Sequence, residues 1–80
     1  MEEIAVDRIL DTKGMNCPMP VLKTKKVIDE IQHGQILEVI ATDPGSRTDI
    51  PALLKRIGHE LISEVEKDGV FFFYIRKNGA

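Results

Sequence analysis

The chain is poor in cysteine: Cys17 is its one thiol. A single cysteine cannot form an internal disulfide, which excludes the disulfide-stabilised class of small secreted domains. A lone free thiol also suits a reducing compartment better than an oxidising one. The sequence has no positively charged segment followed by a long apolar stretch, so we predict neither a secretion signal nor a membrane-spanning segment. We therefore expect a cytoplasmic protein.

The chain also lacks an excess of positive charge. Its 80 residues carry 11 basic and 13 acidic side chains, and the net charge is −2. Binding to nucleic-acid phosphates needs a basic surface, so we expect no direct nucleic-acid binding. The length suits one small domain and leaves no room for a second, so we expect residues 1–80 to form a single domain.

Several sequence patterns of catalysis are missing as well. The sequence has no Cys/His pair at a diagnostic spacing, no cluster of metal ligands and no glycine-rich phosphate loop. We therefore expect no metal and no cofactor. Any covalent chemistry then rests on the thiol of Cys17.

The thiol stands in the segment Cys17-Pro18-Met19-Pro20, ahead of a run that predicts a helix. Proline suits the first helical turn because its missing N–H would have no intrahelical partner there. A helix N-terminus offers free N–H groups and the positive end of the helix dipole, which favour a thiolate. We therefore expect the amides of Met19 and Val21 to face the sulfur and to lower the pKa of Cys17. A buried, inert cysteine is the alternative, but this setting favours partial exposure.

The periodicity of apolar residues predicts six elements in the order βαβαββ. They are strands over residues 4–10, 36–42, 61–67 and 70–77, and helices over residues 18–33 and 50–57. Asp68-Gly69 predicts a tight hairpin turn between the last two strands. A right-handed crossover makes the first two strands parallel. The sequence thus predicts an α+β fold, a two-layer α/β sandwich whose two helices cover one face of a mixed four-stranded sheet.

Glycine and proline set the predicted ends of the helices. Gly34 and Gly58 each follow the last apolar residue of a helical stripe and should end the helix there. Pro51 suits a first helical turn, so we favour Asp49 as the N-cap of the second helix. A looser start at Ser46 is the alternative.

The other face of the predicted sheet has no helix above it. The last strand carries two alternating sets, Phe71, Phe73 and Ile75 on one side and Val70, Phe72 and Tyr74 on the other. One set must lie on the open face. It is either the kind of apolar surface that monomers commonly expose or a surface for a partner. We expect a monomer, with a dimer through this open sheet face as the alternative.

The first helix carries three lysines near the thiol, Lys23, Lys25 and Lys26. An ordinary solvated helix face explains these lysines, and it is the interpretation that we favour. Because lysines early in a helix oppose its dipole, a functional role is more plausible here than for an average charged segment: docking an acidic partner or raising the potential near the sulfur. Leu22 lies off the apolar stripe, one turn from the thiol. We expect it to pack against the neighbouring helix, with a partner contact as the alternative.

Four short segments lie in the order and spacing of one protein family. They are Asp11, Gly14, Cys17, Pro18 and Pro20 around the first helix start, Asp43-Pro44, Asp49-Ile50-Pro51, and Gly58-His59. In these residues the chain resembles the TusA, or SirA-like, family of small sulfur-carrier proteins over nearly its whole length. Met15 stands where a leucine is common in that family. The fold that the resemblance implies agrees with the predicted order of elements.

The resemblance implies that Cys17 accepts sulfane sulfur as a persulfide from a cysteine desulfurase or a rhodanese-like donor and passes it to a downstream acceptor protein. We expect supporting roles at the site for Asp11, Gly14, Pro18, Met19 and Pro20, and docking roles for Leu22, Lys23, Lys25 and Lys26. The pathway stays open among transfer RNA thiolation, molybdenum-cofactor or other sulfur-cofactor assembly, sulfur oxidation and selenium handling. Such a carrier acts stoichiometrically within a relay.

Two other function classes stay open. A thiol redox protein would share a reactive cysteine, but it normally has a resolving cysteine or a stabilising polar constellation, which this chain lacks. A non-catalytic protein- or RNA-interaction module is suggested only by the small two-layer fold, and the acidic charge balance opposes RNA binding.

Overall fold

The computed structural model describes residues 5–78, so Ile4, which we assign to the first strand, lies outside the described residues. The elements are β1 (Arg8–Thr12), α1 (Met19–Glu30), β2 (Ile36–Ala41), α2 (Ser46–Ile57), β3 (Glu60–Lys67) and β4 (Val70–Arg76). The predicted order βαβαββ and the α+β class are confirmed. No helix within residues 5–78 has the length and apolar character needed to cross a bilayer.

The strands form one mixed sheet in the order β1-β2-β4-β3. β1 and β2 are parallel, as predicted, while β4 is antiparallel to both β2 and β3. β2 therefore lies inside the sheet, which its apolar residues on both faces indicate. Asp68 and Gly69 have φ of 52° and 80°, the left-handed pair that a two-residue hairpin turn requires.

The core lies between the two helices and one face of the sheet. Alternate residues of β2 and β4 are buried there, namely Leu37, Val39, Ala41, Phe71, Phe73 and Ile75. The helices contribute Val27, Ile28, Ile50 and Leu54 to the same cluster. Phe72 and Tyr74 lie on the opposite face and are only half-buried. Ile9 and Val65, which are 61% and 46% exposed, lie on this open sheet face as well.

Predicted boundaries of the first helix and of the first strand are wrong. α1 ends at Glu30, earlier than predicted, because Ile31 adopts an extended conformation and is buried. Gly34 does not end α1 but lies in the turn that follows, with a φ of 86°. β1 begins at Arg8 rather than at residue 4, and at its C-terminal end it is longer than predicted. Thr12 belongs to it, is fully buried, and donates a 2.6 Å hydrogen bond from Oγ1 to the carbonyl of Ile40.

The predicted N-cap of α2 is also wrong, and the looser alternative is the observed one. α2 begins at Ser46, with Gly45 as its N-cap, so Pro51 lies inside the helix. The chain starts to wind earlier than Pro51 indicates, because the amide of Ser46 already donates to the carbonyl of Asp43. Asp49 consequently lies within the first turn rather than before it. Among the described residues no side chain caps the start of α2, so the Asp49 carboxylate is available for contacts other than capping.

Candidate functional site

Cys17 lies in the loop between β1 and α1, where it is an exposed free thiol, as predicted. The loop turns at Gly14, whose φ of 82° is accessible to glycine at little cost. The Gly14 amide donates a 2.9 Å hydrogen bond to Thr42 Oγ1, just after β2. Because β1 and β2 are parallel, their C-terminal ends meet at one edge of the sheet. The loop is thus tied to that edge.

Asp11 lies near the C-terminal end of β1 and binds the first residue of the same loop, Lys13. Its Oδ1 accepts a 2.9 Å hydrogen bond from the backbone N–H of Lys13, and Oδ2 lies 3.7 Å from the ammonium nitrogen of Lys13. A short aspartate side chain that binds the amide two residues on is a common way to fix a turn. Asp11 and Gly14 therefore organise the approach to Cys17 without contacting its sulfur.

A carboxylate anchors the backbone of the cysteine. The N–H of Cys17 donates a 3.1 Å hydrogen bond to Oδ2 of Asp43, which lies 26 residues further along the chain in the β2–α2 loop. Pro18 follows as the N-cap of α1. Pro20 is buried in the first turn, and its carbonyl accepts a 2.7 Å hydrogen bond from Thr24 Oγ1. These contacts fix where α1 begins relative to the sheet.

A second carboxylate contacts the sulfur itself. Sγ of Cys17 donates to Oδ2 of Asp49 over 3.5 Å. The two acidic side chains converge over the start of α2, because a methyl group on Gly45 would lie 3.3 Å from Asp43 Oδ2 and 3.6 Å from Asp49 Oδ2. The thiol thus lies beside two carboxylates.

These carboxylates raise the pKa of Cys17 above its ordinary value. The hydrogen bond to Asp49 is the largest cause, partial desolvation is second, and the negative charges of Asp49 and Asp43 follow. Each disfavours the thiolate. The predicted low pKa is therefore wrong.

The predicted contact between backbone amides and the sulfur is also absent from the described part of the chain. The amide of Met19 donates instead to the carbonyl of Asn16 over 2.9 Å. Within residues 5–78 no hydrogen bond joins the amide of Val21 to the sulfur. The helix N-terminus is present, but its N–H groups do not stabilise a thiolate in this structure.

A cleft of about 220 Å³ opens beside the thiol between α1 and α2. We call it the helix cleft, and its walls are formed by Cys17, Pro18, Val21, Asp49, Ala52, Leu53 and Arg56. Apolar side chains form most of the walls, with one carboxylate and one guanidinium among them. The cleft leaves room next to the sulfur for a small group of an incoming molecule.

Two apolar side chains beside the cysteine face solvent. Met19 is 42% exposed and Leu22 is 54% exposed. The prediction that Leu22 packs against the neighbouring helix is wrong, because α1 buries the face that carries Thr24 and Ile28, and Leu22 lies off it. The alternative, an apolar side chain available to a partner, fits its exposure.

The three lysines of α1 lie outside the hydrogen-bonded surroundings of the thiol. Lys25 and Lys26 are exposed and Lys23 is half-buried. Lys25 pairs with Asp29 over 3.8 Å, one helical turn along α1. The charges that shift the pKa of Cys17 are carboxylates. A role in docking therefore fits the lysines better than a role in tuning the thiol.

Sequence reasoning missed Asp43 and Asp49 as neighbours of the thiol. Both stand in segments that carry the family resemblance, and the parallel pairing of β1 with β2 brings the two loops to one sheet edge. That combination could have indicated Asp43. Within residues 5–78, no group of three or more His, Cys, Asp or Glu side chains is placed to hold a metal ion.

Comparison with known proteins supports the resemblance. The family profile described as Sulfurtransferase TusA matches residues 8–77. The sulfur carrier protein TusA of Allochromatium vinosum is 47% identical over 72 residues, covering 90% of this chain and 95% of that protein. A putative sulfur carrier protein of Bacillus subtilis, YrkI, is 45% identical over 71 residues, covering 89% and 95%.

The fold agrees as well. The crystal structure of a SirA-like protein from Desulfitobacterium hafniense superimposes with a TM-score of 0.79 at 27% identity, covering 89% of this chain and 97% of that one. The family profile spans both the Cys-Pro-Met-Pro segment and the two acidic segments that meet at the thiol. The chain therefore belongs to the TusA family of sulfurtransferases.

Proposed function

We propose that this protein is a sulfur carrier that holds sulfane sulfur as a persulfide on Cys17 and passes it to another protein. The observation that carries the proposal is the single exposed thiol at the mouth of the helix cleft, in a chain whose relatives are named sulfur carrier proteins. A protein whose one thiol faces solvent can meet the reactive sulfur of a second protein.

Loading is a displacement at sulfur. The Cys17 thiolate attacks the terminal sulfur of a donor persulfide, a bond forms between Sγ and that sulfur, and the donor's S–S bond breaks. The electron pair of the broken bond leaves on the donor's inner sulfur, which becomes a thiolate. The proton lost from Cys17 passes to solvent, and the exchange needs no outside oxidant or reductant.

Unloading repeats the same exchange with an acceptor protein. An acceptor thiolate attacks the outer sulfur of the Cys17 persulfide, and Cys17 leaves as a thiolate that then takes up a proton. Because both steps are exchanges at one sulfur atom, the carrier needs one thiol, a route to it and surfaces that recognise two partners.

The surface around the thiol supports such partners. Met19 and Leu22 offer exposed apolar area beside the sulfur, and Lys23, Lys25 and Lys26 suit acidic side chains on a partner. We include a cysteine desulfurase or a rhodanese-like protein as the donor in this proposal. A reducing compartment such as the cytoplasm would keep the thiol free for loading.

The proposal is tested by incubating the protein with a cysteine desulfurase and cysteine, and then measuring its intact mass without reductant. We expect the gain of one sulfur atom, reversed by dithiothreitol. A Cys17→Ser variant is the matched control and should gain nothing. If several desulfurase and rhodanese donors all fail to load the unmodified protein, the carrier proposal is wrong and the interaction-module alternative takes its place.

A further inference from the structure

The thiol's closest charged neighbour is an anion, which is unusual for a cysteine that must act as a nucleophile. Reactive cysteines normally lie beside cations, metals or helix N-terminal amides, all of which favour the thiolate. Here Sγ of Cys17 donates to Asp49 Oδ2 over 3.5 Å. This contact stabilises the protonated thiol, which is the less reactive form. The need to accept sulfur therefore does not explain why the contact is present.

Three charged groups face the sulfur or the cleft beside it. Asp49 approaches from α2, and Asp43 approaches from the loop before α2. Arg56 lines the same cleft two turns further along α2. Oδ2 of Asp43 already accepts the backbone N–H of Cys17, which leaves Asp49 as the carboxylate that contacts the thiol itself.

The position of Asp49 in α2 fixes its carboxylate beside the thiol. It lies in the first turn of α2, where the positive end of the helix dipole stabilises a carboxylate. It is half-buried, and the following Ile50 is fully buried in the core, which holds this turn in place. An ionised Cys17 would therefore meet a negative charge at 3.5 Å, and like charges at that distance repel strongly.

We propose that Asp49 is a positioning residue that holds Cys17 as a neutral thiol directed into the helix cleft of the free carrier, and that a donor must break this contact to release the nucleophile. The inference rests on the proposed function, because it assumes that Cys17 is loaded by a donor. It assigns to Asp49 a protective role: the free carrier reacts slowly with oxidants and stray electrophiles, and its sulfur becomes reactive on docking.

The first test compares Asp49→Asn with the matched control Asp29→Asn, which removes the same charge from the exposed last turn of α1. The midpoint of thiolate formation is read from absorbance near 240 nm, and the rate of Cys17 alkylation by iodoacetamide is measured against pH. We expect Asp49→Asn to move both profiles to lower pH and Asp29→Asn to leave them unchanged. Circular dichroism of both variants checks that they fold.

The size of the rate change follows from thiol reactivity. Below the pKa, the thiolate fraction rises tenfold for each unit by which the pKa falls, while intrinsic nucleophilicity falls with a Brønsted slope of about 0.45. Alkylation at neutral pH should therefore quicken roughly 3.5-fold per unit of lowered pKa. An unchanged or raised midpoint in Asp49→Asn would overturn the proposal.

A second measurement uses the unmodified protein and so does not depend on the variant folding. Raising the salt from 0.1 M to 1 M shortens the Debye length from about 10 Å to about 3 Å, which screens the charge of the carboxylates. We expect the midpoint to fall by more than that of a blocked peptide of residues 15–19. A rise relative to the peptide would mean that basic groups control the thiol, and would contradict the proposal.

The outcomes separate this inference from the carrier function. If the midpoint falls in Asp49→Asn but no donor loads sulfur onto the unmodified protein, the role of Asp49 on the thiol stands and the carrier function fails. If sulfur loads onto Cys17 but the midpoint stays unchanged in Asp49→Asn, the carrier function stands and the inference fails.

Discussion

The hydrogen bond from the Cys17 amide to Asp43 makes a specific prediction about stability. This bond of 3.1 Å joins the cysteine loop to the loop after β2, across 26 residues of sequence. Hydrogen bonds to charged groups contribute about 1.5–3 kcal/mol, but this contact is exposed and water can replace the lost acceptor. We therefore expect Asp43→Ala to lower the free energy of unfolding by only about 1 kcal/mol, less than that range.

Urea unfolding measures this change. A chain of this size has an m-value near 1 kcal/mol/M, so the midpoint should fall by roughly 1 M urea. The melting temperature should fall by about 4–8 °C. Asp29→Ala is the control, because Asp29 is exposed and its pairing with Lys25 is a surface contact that contributes about 0.5 kcal/mol or less.

Asp43→Ala should also change the pKa of Cys17. The size of that change shows which of the two carboxylates, Asp43 or Asp49, has the larger effect on the thiol. Asp43 raises the pKa of Cys17 through its charge alone and is the smallest of the causes, whereas Asp49 also accepts the thiol hydrogen bond. Asp43→Ala should therefore lower the pKa of Cys17 by less than Asp49→Asn does. Unchanged stability in Asp43→Ala, or a larger fall in pKa than in Asp49→Asn, would refute this assignment of roles.

Two further predictions concern docking. Replacing Lys23, Lys25 and Lys26 together by glutamine should shift the pKa of Cys17 only slightly, but it should slow sulfur transfer from an acidic donor. A change in the pKa of Cys17 larger than that caused by Asp49→Asn would mean that side-chain cations tune the thiol. Leu22→Asp should change the free energy of unfolding by less than about 0.5 kcal/mol, because Leu22 is 54% exposed. The same substitution should raise the KM for the donor. Leu22→Met is the control, because it keeps an apolar side chain.

The fold could be predicted from the sequence because its signals are local and agree with one another. The apolar residues of β2 on both faces indicate an interior strand, and Asp68-Gly69 indicates a hairpin turn. The errors lie where tertiary contacts outweigh local preference. Burial of Ile31 ends α1 early, and the turn at Asp43 starts α2 before Pro51.

The electrostatic setting of the thiol could not be predicted in the same way. A helix start and three lysines nearby all favour a thiolate, and they lie within ten residues of Cys17 in the sequence. The groups that reverse this preference, Asp43 and Asp49, are 26 and 32 residues away in sequence. The sign of a pKa shift depends on which charges lie nearest in space, and only the folded arrangement of the two loops decides that.

The proposed transfer of sulfur by Cys17 between proteins is tested most directly by an isotope relay. The protein is loaded from a desulfurase with cysteine labelled by heavy sulfur, separated from the donor, and mixed with an acceptor protein that has a reactive cysteine. We predict that the labelled atom leaves Cys17 and appears on the acceptor in equal amount, with no transfer from Cys17→Ser. A labelled Cys17 that releases its sulfur only as free sulfide, with none reaching any acceptor, would contradict the account.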